Sequence, residues 1–181
     1  MYRSKSNPQI MLRPQDVVVL LRLSLDRGPA PTYAALAEEL KLTASEIHAG
    51  VERAMAAQLL RRDAAGKPAV MLEPLRLFVQ HGLRYCFPAT RGTMTRGVPT
   101  SYAAAPMLSL IVQPGEAPPV WPYKAGMVRG VAFYPLYPTV PEAALGNPAL
   151  YELLVLVDAI RGGSLRERAL AIAQLDKRWS V

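Results

Sequence analysis

The sequence predicts an α+β chain that is mostly helical, and three observations predict it. Apolar residues recur at helical spacing over residues 14–60 and again over 148–178. A short stretch of β-forming residues around a polar turn follows the first of these blocks, at 59–72. Between them the texture changes, because thirteen of the 17 prolines fall between Pro68 and Pro148. The expected organisation is a unit over residues 10–86, then an accessory region over 87–181. That region pairs a proline-rich segment holding a small β element with a C-terminal helical hairpin.

Residues 1–9 read as a flexible polar arm, with a disordered terminus as the favoured expectation and phosphate contact by Arg3 and Lys5 as the alternative. Pro14 suits the first turn of a helix running to about Asp26, where Arg27-Gly28-Pro29 ends it. Val17 to Leu21, Leu23 and Leu25 make that helix apolar on most sides, so it is expected to be buried on more than one face. Thr32 caps a second helix that buries Leu36 and Leu40 and turns Glu38 and Glu39 to water. Lys41-Leu42-Thr43 forms a tight turn. Thr43-Ala44-Ser45-Glu46 is a capping box opening a third helix, with Ile47, Val51 and Met55 as its apolar stripe. The opposite face carries Ser45, Glu46, His48, Ala49, Glu52 and Arg53, which are polar and fairly small.

Two helices joined by so short a turn form a helix-turn-helix. Leu59 to Arg62 then suits a strand, Asp63 to Lys67 a turn, and Pro68 to Leu72 a returning strand. A hairpin placed there, basic at base and tip, is a wing. On these residues the chain resembles the winged helix-turn-helix transcription regulators, most nearly the MarR-like group, over roughly residues 10 to 85. The resemblance implies that the third helix enters the major groove of duplex DNA, while the wing meets the backbone or minor groove. It also implies that two copies bind a palindromic site. Base contacts would fall to Ser45, Glu46, His48, Ala49 and Arg53. Phosphate contacts would fall to Thr32, Tyr33, Lys41, Thr43, Arg61, Arg62 and Lys67.

Glu73-Pro74 begins a helix through about Arg84, a route to a dimer interface in MarR-like regulators or a bridge to the second region here. His81 and Cys86, five apart, do not share a helical face, and the expectation is a packed histidine and a buried thiol. Beyond Phe87, Arg-Gly recurs at Arg91 and Arg96 in what reads as a loop, so both guanidinium groups are candidate phosphate contacts. The favoured alternative is that the same arginines cap helix ends or pair with carboxylates. Thr100 to Val112 reads as a short apolar helix broken at Pro106, and Trp121 to Leu136 as two strands about Lys124-Ala-Gly126. Pro141 to Leu145 gives a short turn, and Asn147-Pro148 caps a helix with a stripe of Leu150, Leu153, Leu154, Val157 and Ile160. Gly162-Gly163 ends it, and the capping box Ser164 to Glu167 opens the last helix, to about Arg178. A stripe of five large aliphatic residues needs cover. The first helix, the central segment or a second subunit would provide it, with dimerisation through the stripe as the preferred expectation.

Composition narrows the function classes. The chain has 51% hydrophobic residues, one cysteine and a formal charge of +7. Residues 1–86 carry 12 Lys/Arg against 8 Asp/Glu and residues 87–138 carry 4 against 1, while 139–181 carry 5 of each. Positive charge therefore sits where a polyanion would touch. There is no apolar run long enough for a membrane span, no signal-peptide pattern and no disulfide framework, which leads to a cytoplasmic expectation. Glycine-rich phosphate loops, metal-binding histidine pairs and nucleophile elbows are absent, so neither catalysis nor a metal or other cofactor is expected. Two functions from different classes remain. One is a sequence-specific regulator of double-stranded DNA, a dimeric repressor. The other is a protein-docking winged helix, antitoxin-like or a complex subunit.

Overall fold

The structure, a computed structural model, describes residues 10–26, 28, 30–112 and 115–180. The polar arm with Arg3 and Lys5 lies outside the described residues, as do Arg27 and Pro29 at the first helix's expected end. The chain is α+β and mostly helical. Helices α1 (Pro14–Leu23), α2 (Tyr33–Leu40) and α3 (Ala44–Ala56) come first, followed by an antiparallel hairpin of β1 (Leu60–Arg62) and β2 (Pro68–Val70). Capping fixes these boundaries. Thr32 Oγ1 accepts from the Ala35 amide at 3.2 Å, and Thr43 and Glu46 close the expected box at the start of α3. Lys41 ends α2 in the left-handed region (φ 57°), which turns the chain sharply enough for Leu42 to pack back on the core.

Helix α4 (Leu72–Leu77) runs through a π-helical turn (Phe78–Gly82) into α5 (Leu83–Cys86). This composite helix bridges to the second half: Arg76 and Gln80 both donate to the carboxylate of Asp176, at 3.2 and 2.7 Å. His81 and Cys86 are both exposed, contrary to the packed histidine and buried thiol expected from sequence. The apolar residues of the segment (Leu75, Val79, Leu83) fill its inner face and leave these two outside.

The middle departs most from expectation. Arg91–Pro99 is not a loop but a strand, β3; β4 (Pro119–Pro122) and β5 (Val128–Phe133) both run antiparallel to it. Strands β4 and β5 also pair with each other, in parallel, so the three close on themselves. Closure this tight depends on glycine. A Cβ at Gly97 would lie 2.0 Å from the Trp121 carbonyl oxygen, and one at Gly130 2.0 Å from that of Pro118. In place of the apolar helix expected over 100–112 stand two 3-10 turns, Ser101–Ala103 and Met107–Ser109. Pro106 lacks the amide proton that a continuous helix needs there.

Three helices follow: α6 (Val140–Gly146), α7 (Pro148–Gly162) and α8 (Leu165–Trp179), with α8 folded back along α7. Helix α7 is the centre of the molecule. Every residue from Leu153 to Arg161 is buried, and α1, α5, α6, α8 and the 3-10 turn at 101–103 surround it. One continuous apolar core takes in Val17 to Leu21 of α1, Ile47 and Val51 of α3, Trp121 and Phe133 of the strands, and α7. The stripe expected at a dimer interface is thus covered within the chain. It fails as an interface because α7 is apolar on all sides, not along one seam. Leu154, 2 % exposed, is a core residue. Leu154→Ala is accordingly expected to cost about 2–5 kcal/mol in urea unfolding and to leave the oligomeric state in light scattering unchanged.

Candidate nucleic-acid interface

The expected reading face is built from α2, α3 and the β1–β2 hairpin. Helix α3 buries Ile47, Gly50, Val51 and Ala54, whereas Met55, expected in the stripe, is only half-buried. Ser45 and His48 are exposed and Ala49 is half-buried on the opposite side. Two contacts and one helical spacing join these residues into one track. The ring of Tyr33, in the first turn of α2, meets the His48 ring edge-on at 5.8 Å. His48 and Glu52 are four apart on one helical face. Glu52 in turn pairs with Arg62 of the hairpin at 2.9 Å, and Arg62 donates to the Gly66 carbonyl at its tip. Thr32 is exposed at one end of this track, and Arg61 and Lys67 at the other.

Several expected contacts are already committed. Glu46 Oε2 accepts from the Thr43 amide and hydroxyl, both at 2.8 Å, and its other oxygen from Tyr137 at 3.2 Å. The Thr43 amide, aided by the two hydroxyls, holds this carboxyl below the usual range, so Glu46 stays ionised as a cap. It is removed from the base-reading set. Lys41 faces Glu142 of α6 at 3.8 Å, and Thr139 donates to the Leu40 carbonyl at 2.9 Å, which ties the α2–α3 turn to the C-terminal half.

Arg53 is the clearest correction. It forms a bidentate pair with Asp16 of α1, Nε and Nη2 each 2.7 Å from a carboxylate oxygen, and Asp16 is 0 % exposed. Helical spacing puts Arg53 beside the outer face, but Gly50 leaves a gap through which the side chain bends inward. A Cβ at Gly50 would lie 2.9 Å from Asp16 Oδ1. Asp16 also accepts from the Arg13 amide at 2.8 Å, so it caps α1 and anchors α3 together. Arg53 is therefore a structural residue. Arg53→Ala strands a buried carboxylate and is expected to cost about 3–5 kcal/mol in denaturant unfolding. Recovery of much of that loss in Asp16→Asn/Arg53→Ala would check the assignment.

Arg91 and Arg96 lie apart from the track. Arg91 stacks over Phe133 at 5.5 Å and donates to the Gly162 carbonyl at 3.1 Å. Arg96 projects from β3 into solvent. An open cleft of about 830 Å³ borders the track and shares Ala49, Glu52 and Arg62 with it, its other wall including Ile10, Met11 and Met55.

A buried polar centre went unnoticed in the sequence. Asp158 of α7 accepts from Trp121 Nε1 at 2.6 Å, Thr100 Oγ1 at 2.9 Å and Arg161 at 2.7 Å. Arg161 also donates to the Phe87 carbonyl at 2.9 Å. Complete burial raises the Asp158 pKa, against the pull of Arg161 and the two neutral donors. The signal was there: an Asp and an Arg three apart inside an otherwise apolar helix need partners. No group of His, Cys, Asp and Glu among the described residues is placed to hold a metal ion, and no described helix is long and apolar enough to cross a membrane. In comparisons with known proteins the chain matches no family model, no curated protein and no solved structure.

Proposed function

We propose that the chain is a double-stranded DNA-binding transcription regulator of the winged helix-turn-helix kind, with α2 and α3 as the helix pair and β1–β2 as the wing. The observation that carries this reading is the track from Thr32 and Tyr33 across His48 and Glu52 to Arg62. Its middle is a helix face of small side chains with room for a base edge. Ser45, His48 and Ala49 lie in the first two turns of α3, the part of a recognition helix that reaches bases. The Ser45 hydroxyl suits several bases, and the Ala49 methyl suits a thymine methyl. Arg61 and Lys67 supply phosphate contacts from the hairpin, and Thr32, Tyr33 and Thr43 supply them from the helix starts. Arg62 and Lys41 sit in exposed ion pairs worth about 0–1 kcal/mol, so a phosphate readily replaces Glu52 or Glu142 as partner.

Two copies on a palindrome would raise affinity and make the protein a repressor by occupancy. Their contact would use a face other than α7. The reading involves no cofactor and no catalytic step. Fluorescence anisotropy against duplex DNA over a salt series tests it. Arg61→Ala/Arg62→Ala should flatten the slope of log K against log salt by about one to two units and leave sequence preference intact. Ser45→Ala and His48→Ala should instead shift preference in a selection experiment, each lost base contact costing about 1–3 kcal/mol. An unchanged salt slope would remove the hairpin from the interface.

The protein-docking alternative has one observation in its favour. With Arg53 turned inward, α3 offers no long cation of its own, while the adjacent cleft exposes Ile10 by 66 % and Met11 by 69 %. Under that reading the protein passes heparin without retention and shows no salt-dependent affinity for duplexes.

A further inference from the structure

Strands β3 and β5 repeat one local pattern, an arginine followed by a glycine, at Arg96-Gly97 and Arg129-Gly130. Both glycines turn towards the crowded interior of the closed sheet, where a Cβ would strike the backbone of β4 or the residue before it. Side chains alternate along a strand, so Arg96 and Arg129 project to the other side. They are register partners across the β3–β5 ladder. Both are exposed, and among the described residues neither guanidinium makes an ion pair or a side-chain hydrogen bond. Lys124 is exposed in the turn between β4 and β5, one residue after Tyr123, whose amide donates to the Arg96 carbonyl at 3.2 Å. Residues 87–138 hold a single carboxylate, Glu116.

Like charges set directly opposite each other weaken a strand pair, so folding gives no reason to place two arginines here. An anion bridging them reverses the sign of that interaction. Neighbouring strands set the two side chains about 5 Å apart at their bases, close enough to fork on one phosphate or on two successive phosphates of a strand. Open strand surface suits an extended polyanion better than an enclosed small anion. We propose that the Arg96–Arg129 ledge, with Lys124, is a second docking site for the phosphate backbone of nucleic acid, independent of base sequence. The inference rests on the duplex-binding reading for its class of partner. It extends the footprint beyond α3 and the hairpin, because β5 leads within four residues to Tyr137, which is bonded to Glu46 at the start of α3.

The test compares Arg96→Ser/Arg129→Ser with a charge-matched control on α8, Arg166→Ser/Lys177→Ser, on a random-sequence duplex of about 30 base pairs. The ledge variant should lower the salt slope by about two units and weaken binding roughly tenfold or more at moderate salt, with sequence preference unchanged. The control should stay near wild type. Thermal unfolding of the ledge variant should match or exceed wild type, because a repulsive pair is removed. Equal losses in both variants would mean that net charge alone acts, and no loss in the ledge variant would mean that phosphate does not dock there; either result overturns the ledge and spares the duplex reading. If wild type binds no duplex, the duplex reading fails and retention on heparin decides the ledge. Elution of the ledge variant at clearly lower salt than wild type and control supports it, and co-elution with wild type sinks it.

Discussion

One buried carboxylate, Asp158, decides how the β element sits on the helices. Moving an ion into a protein interior costs several kcal/mol even after relaxation, so Asp158 persists only where donors surround it. Those donors come from three places: Thr100 just past β3, Trp121 in β4, and Arg161 one helical turn further along α7. Arg161 passes the constraint on to the backbone at Phe87, where the chain enters β3. Tyr151 adds a further tie, donating to the Pro99 carbonyl at 2.6 Å, and burial pushes its own hydroxyl up to about 12. Trp121 and Phe133 of the strands are fully buried in the core they share with α7. Hydrogen-bond geometry supplies the orientation that hydrophobic contact, being non-directional, leaves open.

A second buried pair does for α3 what Asp158 does for the strands. With Arg53 fastened to Asp16, α3 cannot roll on α1, and the rotation chosen turns Ser45, His48 and Glu52 outward. The longest cation of the helix is spent on holding the face in place. Removing Arg53 would therefore disturb any reading by this helix through misplacement of the helix, with no lost base contact required.

Local rules were legible in the sequence and long-range ones were not. The capping boxes at Thr43 and Ser164, the Asn147-Pro148 start and the hairpin at 60–70 are set by neighbours within a few residues, and each stands where the sequence placed it. Strand β3 was misread because glycine and proline within it signal a loop. Its pairing partners lie 21 to 42 residues away, and the glycines there serve close approach of backbones. Arg53 was misplaced because helical spacing gives the direction of a Cβ and says nothing of a long side chain bending past a glycine. The stripe on α7 was correctly found, but periodicity cannot distinguish cover by another subunit from cover by the same chain.

These placements change how the work of binding would be divided. A reading helix without a free cation has shape and hydrogen bonding to offer and little attraction for a polyanion. Attraction would have to come from elsewhere, and exposed cations without an ion pair among the described residues stand on two β elements that follow α3, Arg61 and Lys67 on the hairpin and Arg96 and Arg129 on a second strand pair. Each sits on a short β element anchored to the helical core, the first through Leu59 and Leu60 and the second through Asp158. Such elements carry charge outward without burying it, which a helix packed on three sides cannot do. Under the proposed duplex reading, affinity and discrimination would belong to different parts of the chain, and each would change by mutation without loss of the other.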